Sequence, residues 1–197
     1  MSNTANMIIS IYTEMTPNPE TMKFVANKLL YPGKSVDFPE EKDATASPLA
    51  QALFAFPFVK GVFIASNFVT LTKTAGTEWV EVIPTVRQFL KSYLEEGKEI
   101  INEELLPKVE HKESVVADSD KDVVTRIKEM LENYVKPAVE MDGGAITFIG
   151  FDEGVVKLAL QGSCSGCPSS MITLKSGIEG MMKRMIPEVK EVIAENM

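Results

Sequence analysis

The residues of this chain whose type and spacing can do chemistry are its two cysteines, Cys164 and Cys167, set in Gly162-Ser163-Cys164-Ser165-Gly166-Cys167-Pro168-Ser169. Two thiolates separated by two residues can reach one metal centre, and Ser165 and Gly166 allow the tight turn that brings both sulfurs to one side. A helix starting near Pro168 would aim its unpaired N–H groups and the positive end of its dipole at the sulfurs. That favours thiolate over thiol and helps to hold an anionic cluster. Cys164 and Cys167 are therefore the candidate metal and cofactor ligands. Iron-sulfur clusters usually take four cysteine thiolates, so the remaining ligands must come from outside one chain. A symmetric dimer giving both cysteines from each copy completes the shell. A cluster held by so few bonds per chain can be displaced stepwise by an incoming client's thiolates, which suits a carrier better than a fixed electron-transfer centre.

Other uses of the pair compete on the residues alone. Inert core thiols have no reason to be joined by Ser-Gly and followed by a helix start. A dithiol-disulfide oxidoreductase is a stronger rival, because strand, CxxC, helix, strand also begins the thioredoxin pattern, although few residues follow Cys167 for the rest of such a sheet. A zinc-bridged interaction module is chemically allowed, since four thiolates suit zinc as well. Asp142 in Asp142-Gly143-Gly144 reads as part of a turn rather than as a ligand. Met171, Met181, Met182 and Met185 read as packing on a helix. No Ser-His-Asp set or phosphate-cradling glycine loop is visible, and the single histidine, His111, sits in an acidic stretch, so catalytic turnover is not expected.

Composition narrows the field further. With 45% hydrophobic and 24% charged residues the chain should fold as an ordinary globular protein. A net charge of -8 without clustered Lys and Arg argues against nucleic acid as partner. The longest mostly apolar stretch, Leu49 to Val59, is broken by Gln51 and Pro57 and is too short for a bilayer span, so no membrane association is expected. Met1 to Asn6 has neither signal-peptide nor transit-peptide character, and the expectation is a cytoplasmic protein.

The elements that must position the cysteines follow from hydrophobic pattern and turn chemistry. In the first half, strands are expected at Met7 to Tyr12 and Thr21 to Val25 around Thr16-Pro17-Asn18-Pro19, a helix from Ser47-Pro48, and a hairpin of Val59 to Ile64 with Phe68 to Lys73. Helical patterns follow through Trp79 and Val82 and again from Pro84, with Trp79 anchoring the core. In the second half, a helix runs through Val123, Ile127, Leu131 and Val135, capped by Asp118, Ser119 or Asp120, and Pro137 ends or kinks it. Strands Ala145 to Phe151 and Val155 to Gln161 meet at Asp152-Glu153-Gly154. The cysteine loop, a helix Ser169 to Arg184 and a strand Val189 to Ala194 complete the order. Ile172, Leu174, Ile178, Met181, Met182 and Met185 are expected on or near the buried side of that helix. The fold class is α/β (α+β) in two small domains: residues 1–97, an acidic linker 98–118 whose first apolar residues, Ile100, Ile101, Leu105 and Leu106, have the pattern of a short docked helix, and residues 119–197. The last is α-β-β-α-β, a three-stranded mixed sheet backed by two helices.

At these residues the second half resembles the NifU C-terminal, or Nfu-type, iron-sulfur cluster scaffold domain. The likeness runs through Val135-Lys136-Pro137-Ala138, Asp142-Gly143-Gly144, Leu160-Gln161-Gly162, Cys164-Ser165-Gly166-Cys167-Pro168-Ser169-Ser170, Thr173-Leu174-Lys175 and Ile186-Pro187-Glu188-Val189. The first half is similar to the Nfu N-terminal domain through Thr16-Pro17-Asn18-Pro19, Ser47-Pro48-Leu49-Ala50, Gly61-Val62-Phe63 and Phe68-Val69-Thr70-Leu71-Thr72-Lys73. The resemblance implies a 4Fe-4S cluster bridged between two subunits, with 2Fe-2S the weaker alternative, and delivery to apo iron-sulfur clients. It also implies upstream cluster-assembly machinery as a partner.

Overall fold

A computed structural model describes residues 8–106, 121–164 and 168–196. Its contacts divide into two compact units, Met1–Pro107 and Lys108–Met197. The mixed α/β class is as the sequence leads one to expect, and no helix among the described residues is long and apolar enough to cross a membrane.

The first unit is a five-stranded antiparallel sheet in the order β1-β2-β5-β4-β3, formed by β1 (Ile11–Met15), β2 (Thr21–Ala26), β3 (Tyr31–Phe38), β4 (Val59–Ser66) and β5 (Phe68–Lys73). Helices α1 (Pro48–Phe54) and α2 (Trp79–Glu95) cover it with Leu49, Leu53, Val86 and Leu90, all fully or almost fully buried. Strand β1 begins later than expected. Ile8 to Ser10 bond instead to the Asn27 side chain, which accepts from the Ser10 N–H and donates to the Ile8 carbonyl at 3.0 and 2.8 Å. The Thr16–Pro19 turn is held by Asn18, whose carbonyl accepts from the Thr16 hydroxyl and whose side chain accepts from the Glu20 N–H. Strand β3 has no counterpart in the sequence expectations. It is an edge strand carrying Pro32 and Gly33 and a register shift between Tyr31 and Ser35, features that blunt sheet edges and hide the alternation. The two helical patterns around Pro84 form one helix. The proline costs the Val80 carbonyl its partner, and Val80 is exposed to water, so the helix continues. Trp79 packs edge-on against Phe24 at 6.3 Å, and its indole N–H donates to the Pro19 carbonyl.

The start of the segment read as a linker lies on this unit. Ile100, Ile101 and Leu106 pack against the core, the Asn102 N–H donates to the Ala46 carbonyl, and the Tyr93 hydroxyl donates to the Glu99 carbonyl. The remainder, with His111 and the expected cap residues Asp118, Ser119 and Asp120, falls outside the described residues. Ser47 joins the two ends of this arrangement: its side chain accepts from the Ala50 N–H, capping α1, and donates to the Ile100 carbonyl at 2.7 Å. Ser47→Ala removes both bonds at a fully buried position and is expected to cost about 1–3 kcal/mol, measurable as a lower urea midpoint with unchanged slope. A loss within experimental error would contradict this.

In the second unit one helical run comprises α3 (Lys121–Met130), a π turn (Leu131–Val135) and α4 (Lys136–Met141). Pro137 cannot donate to the preceding turn and its ring crowds that carbonyl, which the widened turn accommodates without ending the helix. Strands β6 (Gly144–Asp152) and β7 (Val155–Gly162) form a hairpin whose two-residue loop, Glu153-Gly154, has positive φ at both positions, 48° and 90°, the primed turn that matches strand twist. Strand β8 (Glu191–Asn196) returns parallel to β7 after α5 (Pro168–Met185), giving the three-stranded mixed sheet β6-β7-β8. Val156, Leu158 and Leu160 on the central strand meet Ile127 of α3 and Ile178 and Met182 of α5 in one core. On α5 the expectation of burial fails for Ile172 and Met185, which are 67% and 48% exposed. Ile172 lies off the face set by Ile178 and Met182, and Met185 is the last residue of the helix.

Candidate functional site

The site lies where β7 ends and the chain turns toward α5. Gly162 closes the strand with φ 67°, and the next residue, Ser163, is 2% exposed. Ser163 is tied to the turn before β6 by both of its donors. Its backbone N–H donates to the Gly143 carbonyl at 3.2 Å, and its hydroxyl donates to the Asp142 carbonyl. The Asp142-Gly143-Gly144 turn and the cysteine loop are thus neighbours, brought together by the β6–β7 register that pairs Gly144 with Gly162. Reading the turn from sequence missed this relation. The only signal pointing to it was the glycine pair itself, which marks close backbone approach as readily as a bend.

Cys164 follows and is only 7% exposed, packed into the core of the second unit with its sulfur 3.9 Å from the Ser163 hydroxyl. A Cβ placed on Gly144 would stand 2.8 Å from this sulfur and 2.7 Å from the Gln161 carbonyl, so nothing larger than glycine fits there as the chain stands. Burial pushes the Cys164 thiol above its ordinary range, the Ser163 hydroxyl acts the other way, and the Asp142 carboxylate adds a further upward push. For Cys164 this runs against the expected tuning toward thiolate, the loss of water being the largest influence on it. The helix itself begins at Pro168 as the sequence requires, directly after the motif. Cys167, with Ser165 and Gly166, falls outside the described residues. Among the described residues no three His, Cys, Asp or Glu side chains stand together as a metal site.

The raised thiol value has a consequence for stability. The folded chain keeps the Cys164 proton to higher pH than the unfolded chain does. The stability this contributes is fully present below the unfolded thiol value of about 8.5 and is lost as pH rises through the folded value. Urea unfolding from pH 7 upward should therefore show a steeper alkaline loss for the wild-type chain than for Cys164→Ala, which has no proton to give up. Parallel profiles would contradict the burial of this thiol.

Comparison with known proteins adds the following. Residues 11–97 match a family model described as the Scaffold protein Nfu/NifU N terminal, and residues 127–193 match one described as the NifU-like domain. The chain is 40% identical over 183 residues to a Drosophila sechellia protein named "NFU1 iron-sulfur cluster scaffold homolog, mitochondrial", covering 92% of this chain and 63% of that one. A protein of the same name from Drosophila ananassae is 39% identical over 193 residues, covering 98% of this chain and 65% of that one. The chain thus spans a little under two thirds of the length of these relatives. A solved NifU-like protein from Saccharomyces cerevisiae aligns at 28% identity over 51% of this chain and 90% of its own, with a TM-score of 0.44. The mitochondrial names overturn the expectation of a cytoplasmic protein. That expectation rested on the character of Met1 to Asn6 alone.

Proposed function

Because the chain belongs to the Nfu/NifU family of iron-sulfur cluster scaffold proteins, we propose that it binds a 4Fe-4S cluster as cargo between two copies of itself, through Cys164 and Cys167 of each, and hands the cluster to apo iron-sulfur proteins. The observation that carries this reading is the motif's setting: the chain's 2 cysteines lie between the end of the central strand and the first turn of α5, in the unit that matches the NifU-like domain. Four thiolates are needed and one chain has half of them, so the shell is closed by a second copy. Each thiol gives up a proton as it takes iron, so loading is favoured as pH rises. Cys164 must also leave the core position it occupies. Cluster-assembly machinery stands upstream, clients downstream, and the protein needs no turnover of its own.

The burial of Cys164 weighs against the oxidoreductase reading, since an attacking thiol in a cycling disulfide gains from exposure and a depressed pKa, and this one has neither. The test is transfer. Protein reconstituted anaerobically with iron and sulfide is mixed with an apo-enzyme whose activity depends on a 4Fe-4S cluster, in the presence of a chelator that captures free iron. The expected result is recovery of activity well ahead of a control given free iron and sulfide. Recovery no better than the control, or a chain that takes up only zinc, would overturn the proposal.

A further inference from the structure

Strand β1 is an outer strand of the first unit's sheet, so alternate residues along it turn their backbone groups away from β2. Ser10 fixes the phase. Its N–H donates to the Asn27 side chain and its carbonyl accepts from the Asn27 N–H, so both face inward. Ile9, Ile11 and Thr13 therefore face outward, and the Ile11 carbonyl accordingly accepts from the Arg87 Nε at 3.0 Å. Among the described residues nothing pairs with the N–H groups of these three residues or with the carbonyls of Ile9 and Thr13. Beside this edge lies a groove of about 530 Å³ between residues 8–11 and α2, with Ile8, Pro84, Arg87 and Lys91 in its walls. Ile8 is 80% exposed. No acidic side chain lines the groove, although the chain as a whole carries a net charge of -8. The bond to Ile11 holds the Arg87 guanidinium at the edge and leaves its two terminal nitrogens for another acceptor. The Lys91 ammonium is 3.8 Å from the Glu95 carboxylate, too far for a hydrogen bond.

We propose that this edge binds an extended, acidic polypeptide segment of another protein. The segment adds a strand outside β1 by pairing with the open backbone groups of Ile9, Ile11 and Thr13, sets a carboxylate on Arg87 and Lys91, and lays an apolar side chain beside Ile8 and Pro84. Only another backbone repeats the spacing of the open donors and acceptors, which a small anion does not. The main chain supplies the affinity and the two cations choose the partner. Two copies of this chain meeting edge to edge would bring like charges together, so the same cations select against self-pairing. Met1 to Met7 carry no acidic side chain, so they do not supply the carboxylate. The inference concerns the first unit alone and makes no use of the cysteines.

The experiment titrates isotope-labelled full-length protein with a short capped peptide alternating Glu with Val, followed by NMR of the backbone amides. Saturable shifts centred on Ile9, Ile11 and Thr13 are expected, with slowed hydrogen exchange at those amides and a Kd below about 1 mM. A peptide with Lys in place of Glu, and an acidic peptide N-methylated at alternate residues, should each bind at least about tenfold more weakly. Lys91→Glu, which breaks no backbone contact, should weaken the acidic peptide by a similar factor and leave the thermal midpoint in place; Arg87→Glu, once circular dichroism shows it folded, should do at least as much. No shift at these amides, equal binding of the Lys or N-methylated peptide, or unchanged affinity in Lys91→Glu would overturn the proposal. Inorganic phosphate moving the same amides as strongly would reduce the groove to an anion site and reject it too. So would amides already protected in the chain alone and released on deletion of Met1 to Asn6, since the chain's own first residues would then fill the edge.

Discussion

Cys164→Ala, treated anaerobically with iron and sulfide, should retain no four-iron cluster, whereas the wild-type chain should hold about one cluster for every two molecules. The expected effect is total rather than graded, because a cluster shared by two chains loses two of its four thiolates when each copy loses one. Cys167→Ala should fail in the same way for the same reason, and the cluster-dependent dimer should vanish with the cluster. The measurement is iron and acid-labile sulfide per chain, with the absorbance of the reconstituted protein as a running check. A Cys164→Ala chain that still holds four irons would show that the buried sulfur is not a ligand at all.

The second large effect concerns the frame that carries the site. Leu158 is fully buried on the central strand β7, in the same core as Ile127, Ile178, Met182 and Cys164. Leu158→Ala removes apolar contacts at a position the sheet and both helices close over. A loss of about 3–5 kcal/mol is expected, a large part of the stability a small domain has. The single tryptophan, Trp79, lies in the first unit and packs there on Phe24. Two domains that fold independently should therefore report separately: tryptophan fluorescence keeps its thermal midpoint while the helical signal of the second unit melts early. A common midpoint for both signals, shifted together, would contradict independent folding.

Local chemistry was legible and long-range chemistry was not. The Ser47-Pro48 helix start, the Asp152-Glu153-Gly154 turn and the start of α5 after Cys167 are each written in a few adjacent residues, and the structure has all three. Strand β3 is not, because Pro32-Gly33 and a bulge break the alternation by which a strand is recognised. The helical face of α5 was drawn too wide, since spacing alone does not say where the covering elements stop, and Ile172 and Met185 face water.

The site shows the same division. Cys164 and Cys167 announce themselves by spacing, but the burial of Cys164 comes from Gly144, which lies on another strand and is brought close by sheet register. Small residues around a cysteine pair suggest an open, accessible loop. Here it is Gly144, lacking a side chain, that leaves the space the sulfur fills. The thiol is accordingly pushed up where the sequence pointed to a thiolate, a reversal set by desolvation and not by any residue next to it in the chain.

Sharing of one cluster by two chains is tested most directly by weighing the loaded protein. Native mass spectrometry under anaerobic conditions should show the cluster-bearing species at twice the 21.7 kDa chain mass, with a single four-iron, four-sulfide increment. A cluster-bearing species at the mass of one chain, with all four irons in place, would contradict it.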